Sequence, residues 1–178
     1  MGHLMNRQLQ SLYQNDLKQH YTQPLGQEPL DTPSHQFEGY NASCGDEILF
    51  SLKTSSSLSK ILSIAFEGDS CAICTASASL LCEVTQSQSP ESFAILHQWL
   101  DNQLSALSAS THSFEPEQKN DLKASEINQQ RLNKLKPLLS VSQFPSRINC
   151  ALLPWQTFAK ALKSPIELAA TLNESGCK

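Results

Sequence analysis

The sequence predicts an α+β fold, with a few strands early in the chain and several helices after them. Two apolar runs, Glu47–Lys53 and Ile61–Phe66, are separated by the Ser-rich stretch Thr54–Ser59, the length of a hairpin turn, so they are expected to pair antiparallel. From Cys71 onward the apolar residues recur at helical spacing instead, and no strand alternates with those helices as a βαβ unit would require. The chain has no internal repeat.

Taken in order, residues 7–21 place Leu9, Leu12, Leu17 and Tyr21 at spacings that suit an amphipathic helix. Pro24, Gly26, Pro29 and Pro33 end it and open an irregular stretch to about Glu38. Phe37–Tyr40 reads as a third strand. After the hairpin, Gly68-Asp69-Ser70 offers two capping residues ahead of Cys71–Val84, which runs as small and apolar residues without a breaker. Its Ala and Ser face allows close packing on the sheet. Ser89-Pro90-Glu91 supplies a cap, a first-turn proline and an acid, and opens a helix carrying Phe93, Leu96, Leu100, Leu104 and Leu107. Ser108–Gln118 is polar and reads as a loop, Asp121–Lys136 as a helix, and Pro145 precedes a last helix at about Ala151–Leu162.

At 178 residues the chain fits one domain that can bury a core without disulfides. Its net charge is −4 and it has no basic run, which argues against nucleic acid as a partner. No apolar run approaches the roughly 20 residues of a membrane span. The start, Met1-Gly2-His3-Leu4-Met5-Asn6-Arg7, lacks a signal-peptide core, and Met1–Leu4 reads as a tag with Met5 the native start. A cytoplasmic, reducing location is therefore expected. There, six cysteines are metal ligands, reactive thiols or buried apolar residues sooner than disulfides.

Four residues stand out: Cys44 and Asp46 in Cys44-Gly45-Asp46, Cys71 at a helix start, and Cys150 ahead of the last helix. The glycine lets a thiolate and a carboxylate two residues apart turn towards one point. If the two strands pair antiparallel, Cys44 and Cys71 emerge at the same sheet end. A helix N-terminus favours thiolate over thiol at Cys71 and, by the same effect, at Cys150. Three thiolates and a carboxylate suit Zn²⁺ or an iron–sulfur cluster.

Three stretches carry a family resemblance: Cys44-Gly45-Asp46; Phe66-Glu67-Gly68-Asp69-Ser70-Cys71-Ala72-Ile73-Cys74; and Arg147-Ile148-Asn149-Cys150-Ala151-Leu152-Leu153-Pro154-Trp155. In this order they resemble the signatures of the IscU/SufU/NifU-amino-terminal family of iron–sulfur cluster assembly scaffolds and sulfur acceptors. The resemblance covers roughly residues 7–163, leaving 1–6 as a tag or disordered start and 164–178 as a tail. Asn149 stands where IscU-type members place a histidine, and about 108–133 can hold an insertion, which together favour the SufU-type branch. The resemblance implies a small antiparallel three-stranded sheet packed against several helices. It also implies metal ligands Cys44, Asp46, Cys71 and Cys150, with zinc the usual occupant or a transient iron–sulfur cluster in its place. Cys44 would then accept persulfide sulfur from a cysteine desulfurase and pass it towards downstream assembly or acceptor proteins.

Cys74 departs from the family pattern, which commonly has serine there. One turn on from Cys71, it leaves open which of Asp46 and Cys74 completes the site. Asp46 has the alternative of capping a turn, and Arg147 that of a plain surface charge against one stabilising anionic sulfur. Cys82 and Cys177 read as bystanders, and His20, Trp99 and Trp155 as structural. Two rival functions remain. Cys71-Ala72-Ile73-Cys74 could mark a thiol–disulfide oxidoreductase, although no βαβ pattern follows it. The ligand set could instead belong to a binding module with a structural zinc.

Overall fold

The computed structural model describes residues 14–109 and 126–166, with side chains over 14–106 and 129–166. The expectations for residues 1–13, for most of the insertion and for the tail with Cys177 lie outside the described residues.

Helix α1 (14–22) leads into an irregular stretch, then strands β1 (His35–Asn41), β2 (Asp46–Thr54) and β3 (Ile61–Glu67). Helices α2 (Ala72–Thr85), α3 (Pro90–Ala109) and α4 (Glu126–Leu135) follow. Two 3₁₀ segments, Lys136–Gln143 and Pro145–Arg147, then run into α5 (Ile148–Ala161). The sheet has the order β1-β2-β3 with both pairings antiparallel, as the hairpin spacing requires. The expected third strand is present and longer than Phe37–Tyr40. Asn41 pairs with Asp46, so residues 42–45 form the loop of a tight hairpin.

β2 buries Ile48, Phe50 and Leu52 on one face, and α5 lies across that face. Phe158 meets Phe50 edge-on at 5.6 Å between ring centroids. The helix comes so near β1 that a Cβ built at Gly39 would stand 1.9 Å from Thr157 Oγ1. Only glycine permits that approach. On its other side α5 meets α3, where Phe93 stacks on Trp155 at 5.9 Å.

The small-residue helix was expected on the sheet, but α2 packs mainly against α5, and it is α5 that covers the strands. The reason is visible at Ser77, whose hydroxyl donates to the Ala151 carbonyl (2.6 Å) and accepts from Trp155 Nε1 (3.1 Å). Pro154 inside α5 has no N–H for the Cys150 carbonyl four residues earlier. Ser77 reinforces the backbone at the next residue and satisfies a buried indole N–H as well.

Two helix starts differ from expectation. α2 begins at Ala72 with Cys71 as N-cap and no cap bond from its own side chain. The Asp69 carbonyl instead takes the Glu47 N–H at 2.9 Å, tying that segment to β2. α5 begins at Ile148, so Cys150 lies within its first turn and not ahead of it. Pro145 starts a 3₁₀ turn that feeds directly into the helix. Among the described residues no helix is long and apolar enough to cross a membrane.

Candidate metal and thiol centre

The β1–β2 loop is built by Asn41. Its carbonyl accepts the N–H groups of Cys44 (3.2 Å) and Gly45 (2.9 Å), and its side-chain oxygen accepts from Ser43 Oγ at 2.9 Å. Gly45 completes the turn at φ +70°, a conformation that ordinary side chains disfavour. This tight loop places Cys44 at the rim of the sheet and starts β2 on Asp46.

Asp46 is buried, and both carboxylate oxygens are engaged. Oδ2 accepts from Asn41 Nδ2 at 3.0 Å, and Oδ1 accepts the Cys71 N–H at 2.7 Å. The second bond satisfies the N–H of the α2 N-cap residue itself, the part a capping-box acid plays, supplied from β2 and not from the helix's own sequence. Burial opposes ionisation of Asp46. The Cys71 amide, with the Cys150, Asn41 and Cys71 side chains, outweighs it and holds the carboxyl below its ordinary pKa.

The first turn of α5 brings Cys150 over the loop. Its thiol lies 3.1 Å from Cys44 Sγ and 3.4 Å from Asn41 Nδ2. Burial, then hydrogen bonding to Cys44, Asp46 and Cys71, pushes the Cys150 thiol up, and its S–H donates to Cys44 Sγ. Arg147 Nη1 also donates to Cys44 Sγ, at 3.0 Å. Cys44, half-buried where Cys150 is fully buried, is therefore the outward-facing sulfur and the one that receives two donors.

The ligand atoms of Cys44, Asp46 and Cys150 all lie within 4.8 Å of one another. Two thiols and a carboxylate around one point form a donor set that a zinc ion accepts once the thiols lose their protons. Cys71 borders this group without closing it. Cys74 is fully buried one turn below, and burial, with the Asp46 charge second, raises its thiol to about 12. Cys82 is buried in the core, and the His20 ring bonds Ser79 Oγ at 2.8 Å, as their structural readings anticipate. Asn41 escaped the sequence reading, although an Asn entering a short polar turn is a known side-chain-to-backbone signal. Of the two roles open for Arg147, the contact with Cys44 is the one seen.

The NifU-like N terminal domain family matches residues 12–134. The iron-sulfur cluster assembly scaffold protein IscU of Thermotoga maritima is 28% identical over 135 residues, which is 75% of this chain and 80% of that protein. The zinc-dependent sulfurtransferase SufU of Bacillus subtilis is 29% identical over 157 residues, 88% of this chain and 93% of that protein. A solved structure of a candidate iron-sulfur cluster assembly scaffold for the SUF system, from Fervidobacterium islandicum AW-1, shares the fold. Its TM-score is 0.66 at 22% identity, covering 83% of this chain and 93% of that one. With the sheet, the helix order and the family match in agreement, the chain belongs to the NifU-like N terminal domain family.

Proposed function

We propose that this protein acts in iron–sulfur cluster assembly as a SufU-type sulfur acceptor. Cys44 receives persulfide sulfur from a cysteine desulfurase while Cys44, Asp46, Cys71 and Cys150 hold a zinc ion. The observation that carries this reading is the group of Cys44, Asp46 and Cys150, closed within 4.8 Å around an outward-facing sulfur. The similarity to a zinc-dependent sulfurtransferase supports the choice of metal and branch, as does Asn149 in the position before Cys150.

Bound zinc would keep the ligand thiols deprotonated while lowering their nucleophilicity. The chain's own residues then divide the work. Cys44 sits on a loop, so its sulfur can swing outward without moving β2 or α5. Arg147, 3.0 Å from that sulfur, stabilises the thiolate as it attacks the sulfane sulfur of the incoming persulfide. The S–S bond of the donor breaks, its cysteine leaves as thiolate, and Cys44 carries the new S–S bond. Asp46 is the hardest donor of the four and the most readily exchanged among thiolates, while Asn41 keeps it aimed at the group.

The test is mass spectrometry of the chain mixed with a cysteine desulfurase and cysteine, without added reductant. The wild-type chain is expected to gain one sulfur on the Cys44 peptide within the first turnover, and Cys44→Ser to gain none. Equal loading of the two would overturn the reading.

A further inference from the structure

The Cys71-Ala72-Ile73-Cys74 motif is only half used by a metal centre. Cys71 is the N-cap of the 14-residue helix α2 and is half-buried, while Cys74, at the third helical position, is 0% exposed. The N-cap and the third helical residue lie on one turn at the start of α2. Helical spacing of three residues puts the two Cα atoms about 5–6 Å apart, within the span that a disulfide bridges. A more accessible thiol at a helix N-terminus, with an occluded one a turn below, is the arrangement in which one sulfur attacks and the second resolves.

This pair adjoins the sulfur acceptor. The Cys150 thiol lies 3.1 Å from Cys44 Sγ, and the Cys71 N–H is fixed at 2.7 Å on Asp46, whose carboxylate belongs to the same group. Adding a sulfur to Cys44 extends its reach by about 2 Å, one S–S bond length. The group of Cys44, Asp46 and Cys150 closes without Cys71, which stands beside it and not within it.

We propose that Cys71 and Cys74 form an internal dithiol that reduces the sulfur carried by Cys44 and releases it as sulfide. The inference rests on the acceptor reading of Cys44. First, the Cys71 thiolate attacks the outer sulfur of the Cys44 persulfide; the Cys44–S bond breaks, Cys44 leaves as thiolate and Cys71 carries the persulfide. Then Cys74 attacks the Cys71 sulfur, a disulfide forms between them, and hydrosulfide departs. In sum, one persulfide and two thiols give one thiol, one disulfide and one hydrogen sulfide. The sulfane sulfur gains two electrons and the dithiol loses two. Without an external dithiol reductant the chain turns over once.

The full chain, with a zinc chelator present to free Cys71, is loaded with glutathione persulfide and cleared of donor by gel filtration. Sulfide and peptide-resolved disulfides are then followed. The wild-type chain is expected to release about one sulfide per chain and to accumulate a Cys71–Cys74 disulfide. In Cys74→Ser and Cys74→Ala alike, release falls by about tenfold or more and the sulfur stays on Cys44 or Cys71. Release at the wild-type rate in both variants, or a disulfide between Cys44 and Cys150 in place of Cys71–Cys74, overturns the dithiol. Failure of Cys44 to take up sulfur overturns the acceptor reading and this one with it, whereas uptake without release overturns the dithiol alone.

Discussion

The Asp46 carboxylate serves two elements at once, orienting against Asn41 and capping α2 through the Cys71 N–H. Substituting a capping acceptor by alanine costs about 1 kcal/mol. Asp46→Ala is therefore expected to destabilise the metal-free chain by about that amount in urea unfolding at neutral pH, and Asp46→Asn by less, since the amide oxygen still accepts. The pH dependence has a definite sign. The native Asp46 pKa lies below its unfolded value, so its ionised form contributes stability above the unfolded pKa of about 3.9. That contribution is lost as pH falls through the native value. The gap between wild type and Asp46→Ala should thus be full at neutral pH and shrink in acid. A gap that widens in acid would contradict this role. The same residue shows what local sequence can and cannot reveal. Cys44-Gly45-Asp46 marks two site residues by spacing alone, but the capping of α2 from β2 joins residues that only the sheet brings together. Arg147 likewise reaches Cys44 across 103 positions.

The decisive element is α5, which covers the sheet, receives α2 and delivers Cys150. Its closeness to β1 depends on Gly39, where a Cβ would stand 1.9 Å from Thr157 Oγ1. Overpacking of this kind costs about 1–3 kcal/mol, so Gly39→Ala is expected to lower the urea midpoint. Pairing it with Thr157→Ala should restore part of the loss. A Gly39→Ala midpoint equal to wild type would show that α5 does not rest on β1 as described. The strands and the two helices opened by Gly68-Asp69-Ser70 and Ser89-Pro90-Glu91 are legible because period and punctuation change there. Pro154 is different. Proline within a helix is a stop signal when read locally, and it is tolerated here where Ser77 reinforces the adjacent backbone. Which helix lies on the sheet was also hidden, because small residues on α2 fit an α5 neighbour as well as a strand.

At the scale of the whole molecule, the site exists only where separate parts of the fold meet. The β1–β2 loop brings Cys44, the first residue of β2 brings Asp46, the start of α2 brings Cys71, and the first turn of α5 brings Cys150. None of these parts can assemble the group alone. Helix, strand and loop boundaries fix the four residues at one sheet end because β2 begins, and β3 ends, on that side. The central claim is that these four side chains hold one metal ion. X-ray absorption at the zinc edge, on the chain purified anaerobically, reads the donor set directly. The account predicts zinc bound by three sulfurs at about 2.3 Å and one oxygen at about 2.0–2.2 Å; a shell of nitrogen and oxygen without sulfur, or one of four sulfurs, would contradict it.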